Sequence, residues 1–370
     1  MEKSKVYFVN MRTKPNENML DKLGKLLEKS GMEKIDFKDK FTAIKIHFGE
    51  PGNLSYIRPN YAKKVVNIIQ DLGGDVFLTD VNTLYSGRRA NAVDHLKAAM
   101  ENGFNPMAVD CNVIIADGLK GTEYREIEIN KPHCKTAKIG SAIADADILI
   151  SMNHFKGHEM TGFGGAIKNL GMGCGSRGGK LEMHSASKPK INKNNCVGCK
   201  MCVNNCSQLA IILDENKKAE INYDKCVGCG QCVAVCQFNA AQVIWNESAD
   251  IANEKIAEYA LATVMNKPNF HINFIMNISP NCDCWNSNDA SIVPDIGIAA
   301  SFDPIALDRA SVDLVNKAMH NVNSVLDDGK YKDEEDKFSH IHPDTNWESG
   351  LIHGEKIGLG TQNYQLINID

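Results

Sequence analysis

The sequence predicts an α/β fold, a body of alternating strands and helices, interrupted near the middle of the chain by a small inserted α+β domain. Three observations predict it. Short apolar runs alternate with helical periodicity in the first half, two copies of a cysteine-rich motif follow, and the α/β pattern then resumes. Such alternation is typical of a sheet with helices packed on its faces. We expect three segments: 1–187 (first part of the body), 188–246 (insert) and 247–370 (C-terminal part of the body).

Four short apolar runs bounded by turn residues predict buried strands. They are residues 43–46, 76–79, 113–116 and 148–150. Helical segments alternate with these runs. Leucines share one face of a segment that ends near Gly31, and a second periodic segment starts at Pro59, a residue type favoured in the first turn of a helix.

The α/β pattern resumes after the insert. Residues 251–266 have helical periodicity, and residues 272–276 have the character of a strand. Asp303 followed by Pro304 predicts the start of another helix, with Asp as N-cap and Pro at the first helical position. We expect these elements to complete the same body; two separate α/β lobes are the alternative.

Composition excludes several classes of function. The formal net charge is −5, and no basic stripe with interleaved aromatic residues is present, so nucleic acid is not an expected partner. No apolar run reaches the length of about 18 residues that a membrane-spanning helix needs. The first residues are too polar for a signal peptide, so we expect a cytoplasmic protein.

Thirteen cysteines are unusually many, and eight of them form two runs with the spacing C-x-x-C-x-x-C-x-x-x-C, offset by 30 residues. The first run is Cys196, Cys199, Cys202 and Cys206, and the second is Cys226, Cys229, Cys232 and Cys236. Tight cysteine clusters without an export signal usually bind metal, whereas disulfide scaffolds are small and secreted. We therefore interpret both runs as metal-ligating.

The two runs resemble those of bacterial two-cluster ferredoxins, in which the fourth cysteine of each run ligates the other cluster. The resemblance implies two 4Fe–4S clusters and low-potential electron transfer, which suits a reducing, anaerobic cytoplasm. One cluster would take the first three cysteines of the first run with Cys236, and the other would take the first three of the second run with Cys206. The proline that normally follows the fourth cysteine is Ser207 and Gln237 here. Structural zinc sites are the alternative.

A glycine-rich stretch precedes the insert, with nine glycines between residues 157 and 179. Glycine at that density lets backbone amides face a ligand, and the stretch follows a predicted strand, where ligands of α/β proteins bind. We expect it to bind a cofactor or an anionic small molecule; a structural loop is the alternative. The candidate binding residues are Lys156, Gly164, Gly165, Lys168, Asn169, Gly171 and Gly173.

Histidines and lysines near strand ends are the candidate catalytic groups. They are His47, His154, His158 and Lys168, and Asp80 follows another predicted strand into the same cleft. His154 and His158 lie four residues apart and could ligate a metal on a helix, but Gly157 between them argues against a regular helix. Hydrogen bonding or a structural role is the alternative for both.

Three further cysteines could form another metal or redox-thiol site. Cys174 stands in the glycine-rich stretch, and Cys282 and Cys284 flank one aspartate. If the body brings the three thiols together, they could bind a metal; buried inert thiols are the alternative.

Further segments resemble a family catalogued as domain of unknown function number three-six-two, in its ferredoxin-containing form. They are residues 45–50, 78–85, 153–173 and 301–308, together with the two cysteine runs. The resemblance implies an iron–sulfur protein with no agreed reaction.

We therefore expect an oxidoreductase in which two clusters take electrons from a soluble redox partner protein and pass them to a ligand or cofactor in the α/β cleft. A non-catalytic electron carrier is one alternative, and a metal or cofactor maturation protein that uses Cys174, Cys282 and Cys284 is another. Clusters with a purely structural role are a third alternative. The sequence leaves open whether a flavin or a further metal is present.

Overall fold

The computed structural model describes residues 3–85, 87–184, 188–206, 208–226, 231–242, 244, 247–332 and 334–370. The strands in chain order are β1 (Ser4–Asn10), β2 (Phe41–Lys45), β3 (Asp75–Asp80), β4 (Asn112–Ile115), β5 (Tyr124–Glu128), β6 (Thr136–Gly140), β7 (Ile148–His154), β8 (Lys156–His158), β9 (Gly162–Gly164), β10 (Lys190–Ile191), β11 (Ile211–Leu213), β12 (Ala219–Ile221), β13 (Ala241–Gln242), β14 (Asn269–Ile275), β15 (Gly297–Ser301) and β16 (Tyr364–Asn368). The helices are α1 (Met19–Ser30), α2 (Pro59–Asp71), α3 (Ala92–Glu101), α4 (Pro106–Val109), α5 (Ser141–Asp145), α6 (Ala166–Cys174), α7 (Arg177–His184), α8 (Met201–Asn204), α9 (Gln231–Val235), α10 (Ala249–Val264), α11 (Pro304–Lys317), α12 (Lys337–Ile341) and α13 (Trp347–Ile357), with one 3₁₀ turn over Met32–Lys34.

Eight strands form one sheet in the order β16-β1-β15-β14-β7-β2-β3-β4. All its strands run in one direction except β15, which is antiparallel to both neighbours. Parallel strands need crossover connections, and helices supply them. This is the α/β body that the alternating pattern predicts, and strands from both sides of the insert share the single sheet.

Each face of the sheet buries an apolar core beneath helices. On one face α1 and α2 bury residues such as Leu23 and Val65. On the other face α6, α10 and α11 bury residues such as Leu170, Ile256 and Val312. The central strands are apolar on both sides because both faces are covered, which explains their continuous apolar runs in the sequence.

Local signals start and stop the helices where the sequence predicts. Asn18 caps α1 in a reciprocal capping box with Asp21, and Gly31 ends the helix in a left-handed conformation with φ 83°. Asp303 accepts hydrogen bonds from the first amides of α11, and Pro304 is its first residue. The predicted strands and helices of the body are therefore confirmed, with ends shifted by a few residues.

The insert, which we call the cysteine unit, repeats one small arrangement twice. Antiparallel pairs β10–β13 and β11–β12 are related by the 30-residue offset of the sequence repeat, and α8 corresponds to α9. Matching contacts recur: the amide of Asn192 donates to the Ala240 carbonyl, and that of Asn222 donates to the Ala210 carbonyl, both at 2.7 Å. The cysteine unit lies between β7 and β14 in the sequence, and these two strands are neighbours in the sheet.

Two features of the organisation complete the fold. The predicted segment boundaries at 187 and 246 fall outside the described residues, so the domain limits stay predictions. In the described part of the chain, no helix has the length and apolar character needed to cross a bilayer.

Replacing Gly171 by alanine is expected to lower the free energy of unfolding by about 1–3 kcal/mol. A Cβ atom there would lie 2.1 Å from the carbonyl oxygen of Ile256, so α6 would have to move away from α10. Urea denaturation followed by circular dichroism measures the change. Gly178→Ala is the matched control, because its Cβ would lie 3.6 Å from the nearest atom; equal losses in both variants would contradict the close-packing explanation.

Candidate functional site

A cavity of about 570 Å³ opens at the carboxyl ends of the parallel strands, and we call it the cleft. Lys45, Asp80 and His154 are the last residues of β2, β3 and β7, and all three line it. Ligands of open α/β sheets bind at this edge, and the volume lies in the range of small-molecule sites. The structure therefore brings together side chains from strands that are distant in sequence.

Lys45 is the central cation of the strand ends. Its fully buried ammonium lies 2.9 Å from Asp80 Oδ1 and donates to Asn169 Oδ1 at 2.7 Å. Burial alone would raise the pKa of Asp80, but Lys45 and His95 beside it hold that pKa well below its usual value. The pair is a neutralised, hydrogen-bonded element of the cleft wall.

His47 and Arg89 form a second group on the same wall. Arg89 donates from Nε to Glu50 at 2.6 Å and from Nη2 to the Tyr85 hydroxyl at 2.9 Å, while its Nη1 lies 2.8 Å from His47 Nε2. The Gly49 amide donates to His47 Nδ1 at 3.0 Å. Burial and the Arg89 charge lower the pKa of His47 well below its usual value, so the ring is neutral.

Asp283 is the central anion of the cleft floor. It is fully buried, its Oδ1 lies 2.8 Å from His154 Nδ1, and its Oδ2 lies 3.6 Å from Lys156 Nζ. Burial opposes ionisation, but His154 and Lys156 hold the pKa of Asp283 far below its usual value. The other ring nitrogen of His154 faces the Met276 carbonyl at 2.9 Å. Both ring nitrogens of His154 therefore face oxygen atoms of the chain, and neither faces an open position for a metal.

The two histidines that are four residues apart serve different purposes. His154 ends β7 and His158 ends β8, so they do not share a helix face. His158 lies with Cys282 and Cys284, and one potential ligand atom from each is within 4.8 Å of the others. The Lys168 ammonium donates to Cys282 Sγ at 3.3 Å.

Cys174 does not lie with Cys282 and Cys284, so the three thiols that the sequence suggested as one site do not come together. Its Sγ is fully buried and donates to the Asn169 carbonyl at 3.7 Å. Burial raises its pKa to about 11. His158, from the glycine-rich stretch, takes the third place in that cluster instead.

The glycine-rich stretch is not one ligand-binding loop; it contains β8, β9, α6 and α7. Its glycines mainly permit close packing. A Cβ on Gly165 would lie 2.3 Å from Asp308 Oδ1, and that carboxylate caps α6 by accepting from the amides of Ala166 and Ile167. Burial raises the pKa of Asp308 to about 6.

Five of the seven predicted binding residues nevertheless line the cleft. They are Lys156, Gly165, Lys168, Asn169 and Gly173. Gly171 faces α10 instead, and a Cβ on Gly164 would meet the side chains of Lys168 and Lys156. Whether the cleft-lining residues bind a ligand stays a prediction.

Four cysteines of the cysteine unit surround one small cavity. They are Cys196, Cys199 and Cys202 from the first run and Cys236 from the second. Backbone amides donate to two of these sulfurs at 3.3 Å, from Ala219 to Cys196 and from Ala240 to Cys236. The crossed grouping is the one that the ferredoxin resemblance implies.

The second cysteine set is described in part. Cys206, Cys226 and Cys232 belong to the same apolar cluster as Cys196, Cys202 and Cys236. The Ala210 amide donates to Cys206 Sγ at 3.3 Å. This contact repeats that of Ala240 with Cys236 at the 30-residue offset. Cys229 lies outside the described residues, as does Ser207.

The first set lacks the close sulfur spacing of a formed zinc site. Tetrahedral zinc with Zn–S bonds of about 2.3 Å would bring its four sulfurs to within about 4 Å of one another. Among the described residues, no three cysteine-run sulfurs lie within 4.8 Å of one another. Amide-to-sulfur hydrogen bonds are also among the contacts that set the potentials of iron–sulfur clusters.

Helix α7 joins the cysteine unit to the cleft. Leu181 packs in the apolar cluster that contains the cysteines, whereas Lys180 and His184 of the same helix line the cleft. Arg177, at the start of α7, donates to the Leu84 carbonyl at 3.3 Å. Leu84 itself belongs to both the cysteine cluster and the cleft wall. The two sites therefore share Leu84 and helix α7.

Arg89, Tyr85 and Asp283 were not found from the sequence. Tyr85 is the last residue of the segment 78–85 that resembles the family, but nothing there singled it out as a site residue. Arg89 follows in an irregular segment, where no motif distinguishes it from surface residues. Asp283 had a local signal, because it stands between two cysteines in a sequence that otherwise has no such pair.

Comparisons with known proteins give a family and several distantly similar structures, two of which are described here. The model of a family described as a domain of unknown function (DUF362) matches residues 42–313. Among solved structures, the chain is similar to a lactate racemase apoprotein from Thermoanaerobacterium thermosaccharolyticum, with 12% identity and a TM-score of 0.36 over 66% of this chain and 45% of that one. It is also similar to a protein from Thermotoga maritima, with 10% identity and a TM-score of 0.39 over 81% and 58%. The chain thus spans about half the length of each structure. None of the curated proteins matches it.

Replacing Asp283 by asparagine is expected to lower the free energy of unfolding by about 3–5 kcal/mol at neutral pH, because Lys156 and His154 lose their buried anionic partner. The folded pKa of Asp283 lies below its unfolded value, so its contribution is complete above the unfolded pKa and is lost as the pH falls through the folded pKa. Denaturation at several pH values should therefore show a weaker loss of stability in acid for the variant. The exposed Asp75→Asn is the control, and identical acid slopes in wild type and D283N would contradict the assignment.

Proposed function

This chain belongs to the DUF362 family, and we propose that it is an iron–sulfur oxidoreductase that carries single electrons from a soluble redox partner protein to a small molecule in the cleft. The single observation that carries the proposal is the contact between the two sites. Leu84 and helix α7 each take part both in the cysteine cluster and in the cleft wall.

The cysteine unit fits two 4Fe–4S clusters. The first would be held by Cys196, Cys199, Cys202 and Cys236, and the second by Cys206, Cys226, Cys229 and Cys232. Such clusters accept and release one electron at a time at low potential. Support comes from the crossed grouping of the first set, from its wide sulfur spacing and from the amides that donate to its sulfurs.

Backbone amides and apolar side chains around the cysteines suit the binding of clusters. The amides of Ala210, Ala219 and Ala240 donate to cysteine sulfurs and so stabilise thiolate charge. Apolar side chains, among them Val233 and Leu181, pack in one cluster with six of the cysteines, whereas Cys199 is exposed. Apolar surroundings, solvent exposure and hydrogen bonds to the sulfurs are among the means by which a protein sets a cluster potential.

The cleft supplies binding groups of both signs. Lys45 and Lys156 each have a carboxylate partner, and Lys168 donates to Cys282 Sγ. The Lys180 ammonium donates to the Gly175 carbonyl at 2.7 Å. Burial lowers the pKa of Lys180 to about 8. An anionic group on a ligand would stabilise the charged form of Lys180, which burial disfavours. The proposed ligand is therefore an anionic small molecule.

The cavity separates this proposal from its main alternative. A non-catalytic carrier needs a docking surface but no enclosed volume, and a cleft of about 570 Å³ lined by ionisable groups is typical of a ligand site. For the maturation-protein alternative, the separation of Cys174 from Cys282 and Cys284 removes the thiol set on which it depended.

Anaerobically purified protein is expected to contain about eight irons and about eight sulfides per chain, and dithionite should produce EPR signals of reduced clusters. Cys236→Ser should lower the iron content toward about four per chain, because it removes one ligand of the cluster held by Cys196, Cys199 and Cys202. Iron and sulfide analysis with EPR measures both effects. Cys111→Ser, which alters a buried thiol of the body, is the matched control.

Three results would refute the proposed function. They are four or fewer irons in the wild type, zinc in a stoichiometric amount, or clusters that dithionite does not reduce. Reducible clusters without binding of any small molecule to the body would favour the non-catalytic carrier instead.

Replacing Arg177 by glutamine is expected to shift one cluster potential to more negative values, on the order of 50 mV, equivalent to about 1 kcal/mol for one electron. Burial lowers the pKa of Arg177, and Asp117 and Cys236 oppose that effect, so its charge acts on a sulfur of the first set. A redox titration followed by EPR measures the shift. Arg125→Gln, which removes an exposed arginine paired with Asp145, should leave both potentials unchanged; equal shifts in the two variants would contradict the assignment.

A further inference from the structure

A turn of the chain holds two thiols together at the edge of the cleft. The Trp285 amide donates to the Cys282 carbonyl at 3.2 Å and closes the turn. Asp283, between the thiols, is fixed by His154 and Lys156 on the cleft floor. Cys282 is buried, whereas Cys284 is half-buried and lines the cleft. The pair is therefore anchored, and one of its members is open to a ligand.

Hydrogen-bond donors converge on Cys282. Lys168 donates to its Sγ at 3.3 Å. The His158 ring and the Cys284 thiol are its other neighbours, with their reactive atoms within 4.8 Å of one another. Glu159 is the nearby acid, and its carboxylate accepts a hydrogen bond from Trp285 Nε1 at 2.9 Å.

The tautomer of His158 argues that this group is a thiol site and not a metal site. Its Nδ1 accepts hydrogen bonds from the amides of Met160 and Thr161, both at 3.1 Å. A histidine that ligates a metal through one nitrogen normally donates an N–H from the other. In His158 that other nitrogen is an acceptor, so Nε2 carries the proton and donates toward the sulfurs.

The two thiols share one proton. The hydrogen bond from Cys284, the Lys168 charge and the hydrogen bond from His158 hold the pKa of Cys282 well below its usual value, against the opposing effect of burial. The hydrogen bond to Cys282 and burial raise the pKa of Cys284 well above its usual value. The resting pair is a buried thiolate at Cys282 and a thiol at Cys284.

We propose that Cys282 and Cys284 form a redox-active dithiol that reduces a small disulfide bound in the cleft. The proposal rests on the proposed function, because the clusters would supply the electrons that return the pair to its reduced state. It deepens that function by naming the substrate class and the reacting atoms.

The reaction starts at the thiol that faces the cleft. Cys284 passes its proton to the Cys282 thiolate and attacks one sulfur of the bound disulfide. A mixed disulfide forms on Cys284, and the first product leaves as a thiolate.

Cys282 then completes the reduction. It gives its proton to the departing thiolate and attacks the sulfur of Cys284, so that the Cys282–Cys284 disulfide forms and the second product leaves as a thiolate. The substrate has gained two electrons. Two electrons, one at a time, and one proton restore the thiolate–thiol pair.

Contacts across the cleft connect this pair with the cysteine unit. Leu84, which packs with the cluster cysteines, is followed in the chain by Tyr85. The Tyr85 hydroxyl lies 3.5 Å from the Cys284 carbonyl oxygen. Arg89 fixes that hydroxyl from the other side at 2.9 Å. Leu84 therefore packs on the side of the cysteine unit, the proposed electron source, and the next residue, Tyr85, reaches the dithiol.

The test uses cystine as the disulfide probe at about pH 7 on anaerobic holoprotein whose thiols are reduced and whose clusters are oxidised, so that only the dithiol supplies electrons. Peptide mass spectrometry after alkylation is expected to locate a Cys282–Cys284 disulfide, with about two cysteines released per chain. Cys282→Ser should stop the reaction at a mixed disulfide on Cys284, with about one cysteine released. Cys284→Ser should slow the first release by at least about tenfold.

Lys168→Gln tests the stabilised thiolate. We expect cystine reduction to slow by at least about tenfold near neutral pH and to recover as the pH rises, because the thiolate fraction at Cys282 falls without the ammonium. Cys174→Ser is the control and should react as the wild type does, since its thiol lies apart from the pair.

The iron content of the same samples distinguishes failure of the dithiol proposal from failure of the proposed function. A full complement of iron with no disulfide at Cys282 and Cys284 would overturn the dithiol proposal alone. The dithiol reaction in protein that binds no iron would refute the proposed function and leave the pair as a thiol site. One zinc per chain that is lost in Cys282→Ser would overturn the dithiol proposal in favour of a metal site.

Discussion

The cleft is organised around one buried carboxylate. Asp283 lies on a turn between β14 and β15, yet its oxygens face His154 at the end of β7 and Lys156 at the start of β8. Its backbone carbonyl accepts from the Glu50 amide, beyond the end of β2. A buried anion with two cationic or donating partners fixes three chain segments at once, because any displacement would leave an uncompensated charge. The positions of Cys282 and Cys284 follow from that anchor.

The second constraint on the cleft is close backbone packing, which only glycine permits at several positions. A Cβ on Gly157 would lie 2.1 Å from the Pro280 carbonyl oxygen, so β8 can approach the segment that carries Asp283 only without a side chain. Gly171 permits the same closeness between α6 and α10, and Gly165 leaves room for the Asp308 carboxylate that caps α6. The glycines bring the lysines of α6 and β8 to the cleft edge, and so serve the site indirectly.

One short helix contacts both the cysteine cluster and the cleft, the two sites on which the proposed function depends. Helix α7 has eight residues, and within one turn Leu181 contacts the cysteine cluster while Lys180 lines the cleft. A helix places neighbouring residues on different faces, so one short helix suffices to serve both sites. The insert is part of the crossover connection between β7 and β14, which are parallel neighbours in the sheet.

The sequence by itself determined the α/β body, most element positions and the cysteine spacing, because these depend on local periodicity, caps and ligand spacing. Runs such as residues 43–46 and 148–150 are apolar throughout because both sheet faces are covered. The antiparallel direction of β15 and the helical state of the glycine-rich stretch had no comparable local signal. Only the tertiary structure decided which polar groups meet: Asp283 with His154, His158 with Cys282, and Leu84 with the cysteine cluster. Those contacts join residues separated by about 100 positions or more, and their pairing energy depends on burial and distance, which periodicity does not record.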